Sequence, residues 1–319
     1  MRVLAAACLL VAGLAQAQPS SSPQALEWLR KIQDATHRLS YSGTFVYQHG
    51  GRSETSRITR YSDPSGDIEK VEVMDGVPRE LVRTRDTVKC YLPDSKVVKV
   101  ERRTGEREFP ALLPDAVALL EQHYDIALGE TGRIAGLECR AVVLKPKDNL
   151  RYGYRLYADQ QTGMLMKAVT FDSTGRDVEQ FMFTQLSLGH VTRDMVKPRH
   201  AATSAWRIEE AGAVPASLQG WAVSGDLPGF RKIVELKRRL GDSGPVGQLV
   251  YSDGLAAVSV FIEPMEGHRE AVRTGLASMG ATHIYTRQVA NHMVTVVGEA
   301  PAVSVQRIAE SVQYQPNKP

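Results

Sequence analysis

"RYGYRLYADQQTGMLMKAVTFDSTGRDVEQFMFTQLSL", residues 151–188, reads as three strands in succession. Aromatic and aliphatic residues alternate with polar ones in 150–159, 164–172 and 177–188, the period of a half-buried strand. The joints "DQQTG" and "DSTGR" each run from an aspartate to a glycine, the chemistry of a tight hairpin turn. Strands joined this closely can only be antiparallel neighbours. The stretch is a meander, and the question is how far it extends.

Upstream the same period returns. "SYSGTFVYQHGG" (40–51) sets Tyr41, Phe45 and Tyr47 on one face and Ser42, Thr44 and Gln48 on the other. Further strands are predicted near 41–49, 52–61, 67–74, 79–85, 86–92, 96–102 and 136–146, separated by Gly, Pro and Asp signals. Two helices interrupt them. In 21–40 Ser22 stands at the N-cap and Pro23 in the first turn, with Ala25, Leu29, Ile32, Thr36 and Leu39 in one stripe. Over 110–124, Leu113, Val117, Leu120 and Tyr124 share a side. Either helix is available to cover one face of the meander.

Patterning fails over 189–219, rich in Ala, Pro and small residues, which reads as a linker. A second unit follows: a strand "GFRKIVELKRR", a hairpin about Asp253-Gly254 and a helix "HREAVRTGLASMG". A hairpin about Ala290-Asn291 and a closing helix after Pro301 complete it. The domain plan is 1–17 signal peptide, 18–188 large domain, 189–219 linker and 220–319 small domain, an α+β chain overall.

The N-terminus gives an address. Arg2, the apolar run "VLAAACLLVAGLA" and the small-x-small "AQA" at Ala15–Ala17 form a secretory signal, too short to span a bilayer. Cleavage after Ala17 leaves Gln18 first. The formal charge of +3 falls to +2 when Arg2 leaves, which is no nucleic-acid profile. Two cysteines survive, Cys90 and Cys139. An exported compartment and an even count favour a disulfide, which would stabilise by about 4 kcal/mol in the chain-entropy picture. Two separate buried thiols are the competing reading.

Catalytic signatures are missing. There is no G-x-S-x-G, no H-E-x-x-H, no P-loop and no G-x-G-x-x-G opening a helix. His283 and His292 fall out of register across their turn and lack a third ligand, so no metal site is expected. No cofactor motif is present. Glu209-Glu210 lies in the linker, where nothing tunes a carboxylate. A non-catalytic protein is the expectation.

Two features remain. One is the apolar face made by Phe45, Tyr47, Val71, Val73, Tyr152, Tyr154, Leu156, Met164, Met166, Phe181 and Phe183. It is either a closed core or the wall of a cavity for acyl chains, since Met and aromatic side chains repack around variable ligands. The other is "RKIVELKRR" (231–239), with five basic residues against one acidic. It is either a solvated edge that discourages sheet pairing or a dock for an acidic partner or lipid headgroup. Contact candidates chosen by position and chemistry are Lys232, Arg238, Tyr251, Phe261 and Glu263.

"GTFVY" (43–47), the 151–186 meander, "YSDGLAAVSVFIEP" (251–264) and "HMVTVVGEAP" (292–301) together resemble the MucB/RseB family, over essentially the whole mature chain. The resemblance implies a periplasmic negative regulator of an envelope-stress sigma factor. It implies a large domain shaped as an unclosed antiparallel β-barrel of the LolA/LppX type, with helices on its concave side, beside a smaller α+β domain. It also implies a partner, the periplasmic segment of a single-span anti-sigma factor of the RseA or MucA kind, shielded from a site-1 protease and released by lipid or lipopolysaccharide. On that reading the aromatic face becomes a lipid wall. A periplasmic lipid or lipoprotein carrier is the alternative, and a homo-oligomer stays open.

Overall fold

The 151–188 meander forms as its alternation requires, and a computed structural model places it in the middle of a much larger sheet. The structure describes residues 21–102, 117–200, 205–224, 227–239, 244–265 and 274–315. The expected signal peptide lies outside them.

Helix α1 (Pro23–Arg38) buries Ala25, Leu29, Ile32, Ala35 and Thr36 along one stripe. Pro23 stands in its first turn, but the Ser22 side chain makes no cap bond. Instead the Ser22 backbone N–H donates to the Ile126 carbonyl at 2.9 Å, which ties the helix start to the sheet.

The strands that follow are β1 (Tyr41–His49), β2 (Arg52–Asp63), β3 (Gly66–Val73), β4 (Glu80–Arg83), β5 (Thr87–Leu92) and β6 (Val97–Arg102). After a 3-10 turn at Val117–Gln122 come β7 (Tyr124–Ile134), β8 (Leu137–Pro146), β9 (Gly153–Asp159), β10 (Leu165–Phe171) and β11 (Asp177–Leu188). Next is β12 (Arg207–Ala211), and these twelve strands form one sheet in the order β12-β6-β5-β4-β3-β2-β1-β11-β10-β9-β8-β7. The end strands β12 and β7 do not pair with each other, so the sheet is unclosed.

Two expectations change here. The helix expected over 110–124 is a 3-10 turn where it is described, its earlier part (with Leu113) lying outside the described residues. Tyr124 instead opens β7, whose alternation is hidden by Gly129, Gly132 and a register shift between Leu128 and Thr131. Cys90 and Cys139 are free thiols, on β5 and β8 with β4, β3, β2, β1, β11, β10 and β9 between them. An even count says nothing about distance, and a disulfide needs Cα atoms within about 7 Å.

The stretch expected as a linker is also structured. Its 193–200 part packs against β2–β4. Arg199 reaches Glu72 at 2.7 Å, its backbone N–H donates to Glu80 at 3.1 Å, and Trp206 stacks edge-on with Tyr91. Then β12 adds to β6 as a parallel edge strand.

The smaller sheet has the order β13-β15-β16-β17-β20-β19-β18. Its strands are β13 (Val214–Pro215), β15 (Arg231–Arg239), β16 (Pro245–Ser252), β17 (Ala257–Pro264), β18 (Gly275–Met279), β19 (Thr282–Val289) and β20 (His292–Gly298). Helix α2 (Ala302–Ser311) packs on it through Val305 and Ile308, and β14 (Trp221–Val223) pairs with the terminal β21 (Val312–Tyr314). The helix expected at 268–280 is a strand where it is described. Gly280, at φ 61°, turns β18 tightly back into β19, and residues 266–273 lie outside the described residues.

Candidate functional site: an aromatic wall and a domain junction

Of the residues proposed as a lipid wall, Phe45, Val71, Tyr152, Tyr154, Leu156, Met164, Met166, Phe181 and Phe183 are buried in one cluster with α1. Tyr47 packs against that cluster half-buried, while Val73 is half-buried and outside it. Register explains the grouping. Across β1 and β11, Phe45 faces Phe183 and Tyr47 faces Phe181. The rings of Phe45, Phe181 and Phe183 meet edge to face at 5.1–6.1 Å, and Tyr41 joins Phe183 at 6.1 Å. Each such pair adds about 0.5–1.5 kcal/mol beyond burial.

The glycine in "SYSGTF" has a cause here. A Cβ on Gly43 would stand 2.8 Å from the Phe183 ring, so the missing side chain is what lets the ring pack closely against β1. Gly163 serves two needs. Its φ of 79° completes the "DQQTG" turn, and a Cβ there would meet Lys31 of α1 at 2.7 Å. Asp159 holds the same turn by accepting from the Thr162 backbone N–H at 2.8 Å and hydroxyl at 2.6 Å.

At the rim, the wall acquires charge. Tyr47 hydrogen-bonds Glu179, and burial pushes the Glu179 carboxyl up to about 7, with the Glu299 carboxylate of the small domain adding to the rise. Burial and Glu179 together hold the Tyr47 hydroxyl far above the ordinary phenol range. Burial likewise raises Tyr152 to about 12.

The contact candidates of the small domain do not form one patch. Lys232 faces Tyr251 across β15 and β16, and Tyr251 packs on the α2 side of the sheet. Arg238, Phe261 and Glu263 occupy the opposite face, by their register with Val246, Gln248 and Met293. Lys232 pairs with Glu235 at 2.5 Å, whereas Arg238 crosses to Glu101 of the large sheet at 2.6 Å. His283 faces Gly298 and His292 faces Val289, so the two imidazoles sit at opposite ends of their hairpin.

A buried junction between the sheets went unread in the sequence. Arg151, 1% exposed, lies in the β8–β9 connection and donates to Asp253 of the β16–β17 turn at 2.9 Å. It also donates to the Pro228 carbonyl at 2.5 Å and to Asp148 at 3.1 Å. Apolar residues are exchanged around it: Leu150 is buried in the small domain's core, while Ala281 is buried in the large domain's core and Leu255 packs against it.

With this geometry in hand, the chain can be compared with known proteins. A model of the MucB/RseB N-terminal domain matches residues 24–204, and one of the MucB/RseB C-terminal domain matches residues 215–313. The chain belongs to the MucB/RseB family. Among its MucB/RseB relatives, sigma factor AlgU regulatory protein MucB of Pseudomonas aeruginosa is 30% identical, covering 96% of each chain. Sigma-E factor regulatory protein RseB of Escherichia coli is 25% identical, over 98% of this chain and 99% of that one. The crystal structure of MucB in complex with MucA(peri) superposes with TM-score 0.70 at 28% identity, over 92% of this chain and 100% of that one. These MucB/RseB names are those of regulatory proteins, not enzymes.

Proposed function

We propose that the chain is a periplasmic regulator that grips the periplasmic segment of a membrane anti-sigma factor, shields it from site-1 proteolysis and loosens its grip when lipid or lipopolysaccharide enters the large domain. The observation that carries the grip is full-length likeness, across both domains, to a MucB structure described as a complex with MucA(peri).

The lipid half rests on chemistry. Met164, Met166, Phe45, Phe181 and Phe183 make a methionine- and aromatic-rich face on an unclosed sheet, and such side chains adapt to guests of irregular shape. Loosening is linkage: a lipid weakens the grip only by preferring the conformation that binds the segment poorly.

The mature chain, immobilised and mixed with detergent-solubilised inner membranes, is expected to recover one single-span protein. Recovery should fall as lipopolysaccharide is added. Recovery of no membrane protein would remove the grip, and recovery indifferent to lipid would remove the sensing.

A further inference from the structure

Two observations locate how the domains can move. The strand β12 belongs to the large sheet and β13 to the small one, so only Gly212 and Ala213 separate backbone fixed in one sheet from backbone fixed in the other. Between these two sheet-fixed strands the connection narrows to two residues, one of them a glycine.

The second observation is the Arg151 site. Both side chains of the Arg151–Asp253 pair are 0% exposed, and the surrounding groups complete their bonding. The Tyr124 hydroxyl donates to Asp253 at 3.4 Å, and the other Asp253 oxygen accepts from the Leu255 and Ala256 backbone N–H groups at 2.9 and 2.7 Å. The guanidinium lies 5.8 Å from the Tyr124 ring centroid and 5.4 Å from that of Phe230. Beside it, Ser304 of α2 donates to the Leu150 carbonyl at 2.6 Å. The large domain contributes Tyr124, Asp148, Leu150 and Arg151; the small domain contributes Pro228, Phe230, Asp253 and Ser304.

A buried ion pair stabilises little compared with apolar packing, because both charges lose water. It does penalise every arrangement in which its partners miss each other, since a stranded buried charge is costly. We infer that the Arg151–Asp253 pair is a clasp that admits one relative orientation of the two domains, and that Gly212–Ala213 is the hinge on which they turn when it opens. This device goes beyond the proposed partner and lipid, and its test needs neither.

The test is a distance distribution between spin labels at Ser95→Cys and Arg307→Cys, introduced in the full mature chain with Cys90→Ala and Cys139→Ala. The parent should give one narrow population. Arg151→Met should broaden it and add a second. Asp253→Asn, which keeps the acceptor for the Leu255 and Ala256 N–H groups, should do the same with unchanged far-ultraviolet dichroism, which separates an opened clasp from an unfolded domain. Amide exchange in both variants should leave β12 and β13 protected. A narrow, unshifted distribution in the folded Asp253→Asn variant would overturn the clasp. Loss of protection in β12 or β13 on opening would overturn the hinge.

Discussion

The aromatic wall and the Arg151 junction are both buried, yet they are built from opposite materials. Along β1 and β11 the contacts are ring on ring, non-directional and shared among many neighbours. At the junction one guanidinium satisfies two carboxylates, a carbonyl and two ring faces at once. Apolar cores tolerate rearrangement if volume is kept, whereas buried polar networks fail when one member is lost. On the proposed reading the wall is the part that admits a guest, and the junction the part that holds an orientation.

The contrast can be broken most forcefully at Phe183. Phe183→Ala should cost about 3–5 kcal/mol, the usual loss for a deleted buried ring. Phe183→Leu should recover most of it, as read from urea unfolding of the purified chain. Arg151→Met should cost about 3 kcal/mol by stranding Asp253, and adding Asp253→Asn should return much of that by removing the stranded charge. If Phe183→Leu proved as harmful as Arg151→Met, the two regions would not differ in tolerance.

The rim offers a gentler comparison. Glu179 titrates at about 7 in the fold against 4.5 ordinarily, so the folded state binds the extra proton between those values. Its contribution is present in full below pH 4.5 and is lost as pH rises to about 7. Stability measured across that window should fall with rising pH, and Glu179→Gln should flatten the slope. Smallest of all, Arg238→Ala removes a pair whose Glu101 side chain is 46% exposed, so the free energy of unfolding should fall by less than about 1 kcal/mol.

How much of this was legible before any coordinates depended on the range of the interaction. Strands β1 to β6 and β8 to β11 announce themselves because alternation and turn chemistry are local. The wall follows from that alternation, with Tyr47 at its margin and Val73 outside it. The strand β7 hid behind two glycines and a register shift, and β12 hid because an edge strand can pair through its backbone without a patterned side-chain face. The two thiols were countable, but their separation was a property of sheet order. Arg151 and Asp253 both lie in stretches that carry the family resemblance, yet 102 residues separate them and no local signal joins a lone arginine to a turn aspartate.

The central claim is that filling the wall weakens the grip on a second polypeptide. Calorimetric titration of the mature chain with a synthetic anti-sigma periplasmic segment, without and then with saturating lipopolysaccharide, tests it directly. The account predicts saturable binding whose Kd rises about 5- to 150-fold with the lipid, the range of ordinary coupling energies. An unchanged Kd in lipid shown to be bound would contradict it.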